Sequence, residues 1–290
     1  MKHAPPLLAG DAILITGCSS GIGHHAAHAL SQAGFDVIAS ARQPHDVARL
    51  QQEGLKAVQL DLDDDASIAS GFDAALNLSN SGRLRGLFNN GAFGLPGAVE
   101  DLNRASLLAQ FQTNFFGTQV LTNRMLGHLR AHADGGRIIH NSSVLGFAAM
   151  AYRGAYNASK FALEGLTDTL RLELWDAPID VVLIEPGPIQ SRFRENAYQA
   201  FLRWIDREHS AHRAQYEAMI QRLNKAGPVA PFTLGPDAVS RKVLHALTTP
   251  APRARYAVTV PTHAFSWLKR LLPTRLLDRV LLQAGGNGKR

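Results

Sequence analysis

Seven short apolar runs punctuate the chain: AILIT, FDVIASA, KAVQL, LRGLFNN, RIIHNSS, IDVVLIEP and RYAVTV. Each is apolar almost throughout rather than at alternate positions, which predicts strands covered on both faces. Longer segments with helical spacing lie between them, clearest over residues 103–132, 153–175 and 236–247. Strand and helix in strict alternation predict βαβ units with right-handed crossovers, hence an α/β fold doubly wound around a parallel sheet of about seven strands.

Two segments break the alternation. Residues 190–232 read as a helical insertion carrying Phe193, Tyr198, Phe201, Trp204 and Tyr216. Its aromatics fit a flap fastened to the domain, and Phe193, together with Phe93, Leu145 and Phe147 from strand-end loops, fits the wall of an apolar substrate pocket. Residues 263–290 read as a basic amphipathic tail, interrupted by Pro273, with Trp267, Leu268, Leu271, Leu272, Leu276, Val280 and Leu281 on one side. Packing on the domain or on a sister subunit is one reading of that face, and peripheral contact with an anionic membrane is the other. No repeat or linker divides the remainder, so residues 1–262 read as one domain.

Composition narrows the class. The 290 residues are 46% hydrophobic and 19% charged, enough for a large globular core. Cys18 is the only cysteine, so no disulfide can form within the chain. The first fifteen residues suit neither a secretory signal nor a membrane span, and a cytoplasmic protein is expected. The net charge of +6 is concentrated in the tail, where six basic residues face Asp278 alone. A nucleic-acid-binding face would recur along the domain, so no nucleic-acid partner is expected.

Between the first strand and the first helix, TGCSSGIG places Gly17, Gly21 and Gly23 with Ser19, Ser20 and Ile22. Glycines let the backbone approach a ligand, and a helix N-terminus offers N–H groups to a pyrophosphate. The second strand ends in ASAR, with Arg42 where an NAD site would place a carboxylate. A guanidinium there pairs with a 2′-phosphate, so NADP is expected ahead of NAD.

In GAYNASKFALEG, Tyr156 precedes Lys160 by four residues, so both occupy one helix face. A nearby cation lowers a phenol from its usual pKa of about 10, which would let Tyr156 exchange a proton with a substrate oxygen. HNSSVLG, at the end of the fifth strand, brings Ser143 toward the same crevice. Asn89 and Asn90 end the fourth strand, and Asn114 is a polar residue inside the apolar run FQTNFFGTQVL.

These motifs, with NNGA, NFFG, YNASK and EPGPIQS in order, resemble the short-chain dehydrogenase/reductase family in its single-domain, Rossmann-like branch, over about residues 12–232. The chain looks most like the bacterial NADP-dependent aldehyde reductases similar to retinol and 17β-hydroxysteroid dehydrogenases. The resemblance implies Tyr156 as general acid/base, Ser143 as the group orienting the substrate oxygen, Lys160 on the nicotinamide ribose and Asn114 holding a relay water. It also implies Asp61 and Leu62 at the adenine, Asn89 by the adenine ribose, Pro186, Gly187 and Ile189 at the nicotinamide, and Ser191 at its carboxamide. The expected function is hydride transfer between NADPH and a lipophilic aldehyde, ketone or alcohol, by a homodimer or homotetramer. The competing expectation is a non-catalytic NADPH-binding or membrane-surface scaffold.

The chain departs from the family at NNGA, where NNAG is usual, at Ser191, where threonine is commoner, and at Ser20, where some NADP users carry a base. His24 and His28, and the EHSAH segment with Glu208, His209 and His212, lack the spacing of a metal motif and suggest no third ligand; no metal is expected. Cys18 is expected to be a packing residue rather than a nucleophile.

Overall fold

In the computed structural model, which describes residues 2–80, 83–225, 227 and 230–286, the expected strands form one parallel sheet. They are β1 (Ala12–Ile15), β2 (Asp36–Ala41), β3 (Lys56–Gln59), β4 (Leu84–Asn89), β5 (Gly136–Asn141), β6 (Ile179–Glu185) and β7 (Arg255–Ala257), in the order β3-β2-β1-β4-β5-β6-β7. Successive side chains explain the continuous apolar runs. Ile13, Ile15, Val37 and Ala39 face one layer, where they meet Ala26, Leu30, Val239 and Val243. Leu14, Ile38, Leu87 and Ile138 face the other, against Ile68, Phe72, Leu121 and Met125. The first layer is built by α1 (Gly21–Gln32) and α9 (Asp237–Thr248), and the second by α3 (Asp65–Leu78) and α5 (Thr118–Arg130), while α2 (Pro44–Gln52) packs on β3. Strand order reverses beside β1, the place where a doubly wound sheet opens a ligand crevice at its strand C-termini.

Three sequence expectations are corrected in detail. The helical stretch 103–132 is α4 (Arg104–Phe111), a π-helical turn at Gln112–Gly117 and then α5. At Gly117 a Cβ would lie 1.8 Å from the Leu62 carbonyl oxygen, so only glycine lets the helix pass this close to the strand-end loop. The seventh strand stops at Ala257 because α10 (Val260–Leu271) starts with Pro261 in its first turn, a position suited to a residue without an N–H. The amphipathic segment therefore begins inside 1–262 and continues, beyond Pro273, as α11 (Thr274–Ala284). Lys289 and Arg290 of the basic tail lie outside the described residues.

The insertion contains α7 (Phe193–Trp204) and α8 (Arg213–Asn224). Phe201, Tyr216 and Met219 form a separate apolar cluster with Leu95, Ala98 and Ala155, which fastens these helices to the β4 loop and to α6 (Gly154–Glu173). Tyr216 hydroxyl accepts from the Ala98 N–H at 2.9 Å and donates to Asp101.

Candidate active site

The glycine-rich turn fits a dinucleotide pyrophosphate. Gly17 (φ +70°) and Gly21 (φ +60°) occupy the left-handed region that favours glycine. A Cβ at Gly17 would lie 2.7 Å from Gly91 Cα, and one at Gly21 would lie 2.9 Å from Ser191 Cβ, so the β4 loop and the loop after β6 both close on the turn. Helix α1 begins without a side-chain cap and without an acid in its first turn, leaving its N-terminal N–H groups to an anion. Ile22 contributes only backbone to this cradle, because its side chain packs against the core.

Asn90 holds the cradle in place, donating from Nδ2 to the carbonyls of Thr16 (3.0 Å) and Gly17 (3.2 Å). The side chain of Asn89, expected at the adenine ribose, instead turns inward and donates to Thr122 at 3.0 Å, with His140 Nδ1 at 3.2 Å. The pleat explains the difference: neighbouring residues at a strand end face opposite sides, and the sequence contains two asparagines to choose between.

At the end of β3, Asp61 is half-buried, caps the Asp63 N–H at 3.1 Å and precedes buried Leu62. Arg42 is exposed at the end of β2. A second cation, missed in the sequence, joins it: Arg49 on α2 reaches back to donate to the Ser19 carbonyl at 2.6 Å while pairing with Asp46. The signal available was a base one helical turn into the element after β2. On the other wall, Pro186 accepts from the Val144 N–H at 2.8 Å, Gly187 is pressed against Thr259, and Ile189 packs on the core next to exposed Ser191.

Ser143, Tyr156, Lys160 and Asn114 all converge below this crevice and are 9%, 8%, 3% and 1% exposed. Ser143, two residues beyond β5, accepts from the Leu145 N–H, so its hydroxyl is fixed by the first residues of a short 3-10 turn. Tyr156 and Lys160 come from the first turns of α6, with the ammonium 5.8 Å from the phenol ring centre. Lys160 donates to the Asn141 carbonyl at 2.7 Å. Asn114, in the π-helical turn, accepts from the Phe93 N–H and donates to the Phe93 carbonyl and to Ser159, joining the β4 loop to α6. π-turns often mark functional sites.

The electrostatics correct one expectation. The phenol is not lowered here: burial pushes Tyr156 up to about 12, with the Ser143 hydroxyl pulling the other way. Lys160 is itself pushed down to about 8 by burial, against the attraction of Glu164. Desolvation penalises the charged form of each group, and at this site it outweighs the Ser143 hydrogen bond on the phenol and the Glu164 charge on the ammonium. Behind them, burial pushes His140 down to about 3, so it is neutral.

Glu164 belongs to a network that the motifs do not reveal. Arg255 of β7 donates at 2.6 Å to each of Glu164, Glu185 and Asp168, and Glu164 accepts from Ser142 at 2.6 Å. One guanidinium thus joins α6, the end of β6 and the end of β5, the three elements that bear Tyr156, Pro186 and Ser143. Its only sequence signal was Glu164 four residues after Lys160.

Over these groups, the Phe193 ring meets Tyr156 edge-on at 5.4 Å, and a Cβ at Gly94 would overlap Phe193 at 2.6 Å. Phe93, Leu145 and Phe147 are half-buried around the same loops. Cys18 is a packing residue, buried, with its thiol pushed up to about 12. Glu208, His209 and His212 do not converge: they pair separately, with Arg207, Asp206 and Glu100. His24 and His28, by contrast, meet a third group, Glu53.

A family model described as short chain dehydrogenase matches residues 11–200. The uncharacterized oxidoreductase YbbO of Escherichia coli K12 is 43% identical over 269 residues, 93% of each chain. The NADPH-dependent 3-dehydrocapnine reductase of Ornithobacterium rhinotracheale is 28% identical over 273 residues, 92% of this chain and 94% of that one. Among solved structures, a short-chain dehydrogenase/reductase from Burkholderia phymatum in complex with NAD superposes with a TM-score of 0.77 at 22% identity, over 91% of this chain and 95% of that one, a likeness of fold.

Proposed function

Since the chain belongs to the short-chain dehydrogenase/reductase family, and is thus an oxidoreductase acting on CH–OH and C=O groups with NAD(P), we propose that it is an NADP-dependent reductase of lipophilic aldehydes or ketones, of the retinal, steroid or fatty-aldehyde kind. The observation that carries this reading is the buried convergence of Ser143, Tyr156 and Lys160 beneath the Phe193 ring. A bound nicotinamide supplies the hydride. Tyr156 gives the proton that the carbonyl oxygen takes up, and burial keeps the phenol in the protonated form that reduction uses. Ser143 orients the oxygen, and Lys160 holds the nicotinamide ribose and supplies positive charge beside the phenol.

Arg42 and Arg49 at the adenosine end support the preference for a 2′-phosphate, as does the NADPH dependence in the name of the 3-dehydrocapnine reductase. Residues 190–232 act as a substrate flap, with Phe193, Phe93, Leu145 and Phe147 forming an apolar wall. Subunits pair through the outer faces of α4, α6 and the π-helical turn, where Leu108, Phe116, Phe161 and Leu172 are exposed.

A screen of NADPH and NADH oxidation with aliphatic aldehydes, retinal and ketosteroids tests this reading. Turnover is expected with NADPH, and Arg42→Asp should move the NADPH/NADH ratio toward NADH by about ten- to a hundredfold, the worth of one charge-assisted hydrogen bond. No oxidation with any carbonyl would sink the reading in favour of a scaffold. An unchanged ratio would mean that the 2′-phosphate is read elsewhere.

A further inference from the structure

On the outer side of α1, just beyond the phosphate-binding turn, His24 and His28 lie four residues apart on one helix face. Both Nε2 atoms point at the same oxygen, Oε2 of Glu53 at the end of α2, at 2.6 and 2.9 Å. The three ligand atoms lie within 4.8 Å of one another, and the side chains are 35%, 32% and 29% exposed, open to an ion from solvent. Hydrogen bonds from the two imidazoles hold the Glu53 carboxyl below the usual carboxylate range, so it is ionised.

We propose that His24, His28 and Glu53 form a binding site for a transition-metal dication, with Zn2+ the best match. Two imidazoles and one carboxylate favour zinc and its neighbours over calcium or magnesium, which take oxygen ligands. Tetrahedral zinc, with bonds of roughly 2.0–2.2 Å, sets its ligand atoms about 3.3–3.5 Å apart. The imidazoles now crowd one carboxylate oxygen, so small side-chain rotations suffice to seat an ion, and its fourth position faces water. Helix spacing presets the two histidines, whereas Glu53 is 25 residues beyond His28, which is why sequence spacing does not betray the trio. Among the described residues, no other group of three such ligands converges. His128 near the end of α5 and His132 just beyond that helix also meet edge-on, but no carboxylate completes them there.

A bound ion would clasp α1 to α2. The first bears the phosphate turn at its start, and the second bears Arg49, whose Nε is 3.5 Å from the other oxygen of Glu53 and whose Nη2 holds Ser19. The site is separate from the reacting groups, so its occupancy is readable without turnover.

The test uses full-length protein stripped with a chelator, dialysed against micromolar Zn2+ and followed by metal analysis and thermal unfolding. One zinc per chain and a rise in Tm are expected for the wild type, with Mg2+ giving no rise. His28→Ala and Glu53→Gln should each weaken zinc binding by about tenfold or more and abolish the rise. Both positions are solvent-facing, and the metal-free Tm of each variant verifies folding; Glu53→Gln keeps the side-chain shape if the histidine variant fails. Absence of zinc from the wild type would overturn the proposal, as would equal binding by folded variants, which would place the ion at other histidines.

Discussion

At the scale of single residues, burial moves Tyr156 and Lys160 in opposite directions, one up to about 12 and the other down to about 8. The consequence is a proton donor that stays loaded and a cation that does not. Below about pH 8 Lys160 is charged, and above it the charge is lost, along with the field beside the phenol and the charge assistance to the proposed ribose contact. The pH dependence of kcat/KM reports groups of the free enzyme. Carbonyl reduction, with NADPH as the varied substrate, is therefore expected to hold level near neutrality and to fall as pH rises through about 8. A rate that stays level to about pH 10, where an unperturbed lysine titrates, would show that Lys160 is not depressed. These two residues were legible from their spacing together with the serine-bearing strand end that precedes them. Their pKa values were not, because desolvation depends on what Phe193, Gly94 and the β5 loop cover, and that is decided by tertiary packing.

At the scale of elements, Arg255 holds the site together without touching the reacting atoms. It is a positioning residue that links α6, β5 and β6, and burial already pushes Glu185 up despite this partner. Arg255→Met leaves Glu164 and Glu185 without their cation, a loss of about 3 kcal/mol for a broken buried pair. A chain of this size should then melt about 6–12 °C lower. The same variant should lose kcat more than KM, and Arg255→Lys should recover part of it; unchanged melting and kcat would remove Arg255 from the account. The strands were legible because seven short runs, apolar at successive positions and alternating with helical segments, read as strands covered on both faces. The breaks were not: the π-helical turn around Asn114 preserves an apolar pattern that reads as one helix, and Asn90 rather than Asn89 holds the phosphate turn because the pleat, not the sequence, sets which side faces the crevice. Arg255 was missed since its partners lie 70, 87 and 91 residues away.

At the scale of the molecule, the C-terminal helices pack on the domain by one face and leave the other exposed. One face packs on the domain: Leu281 is buried, and Lys269 stands 5.2 Å from the Phe161 ring of α6. The other exposes Trp267, Leu271, Leu276 and Leu282 among Arg270, Arg275 and Arg279. No helix among the described residues is long and apolar enough to cross a membrane, so any contact would be peripheral, a hypothesis that rests on this exposed basic and apolar face. The protein is then expected to sediment with phosphatidylserine vesicles and not with neutral phosphatidylcholine, and Arg270→Glu with Arg275→Glu should release it, each cation contributing about 1 kcal/mol. Equal sedimentation with both vesicles, or none with either, would assign the face to a protein partner.

The account as a whole rests on the phenol of Tyr156 as the proton donor to a carbonyl held by Ser143. Its most direct test is Tyr156→Phe, which removes one oxygen and keeps the ring beneath Phe193. NADPH affinity, read by cofactor fluorescence, should stay within about twofold of the wild type, while the reduction rate should fall by about 10² to 10⁴. A variant that binds NADPH and still turns over at the wild-type rate would contradict it.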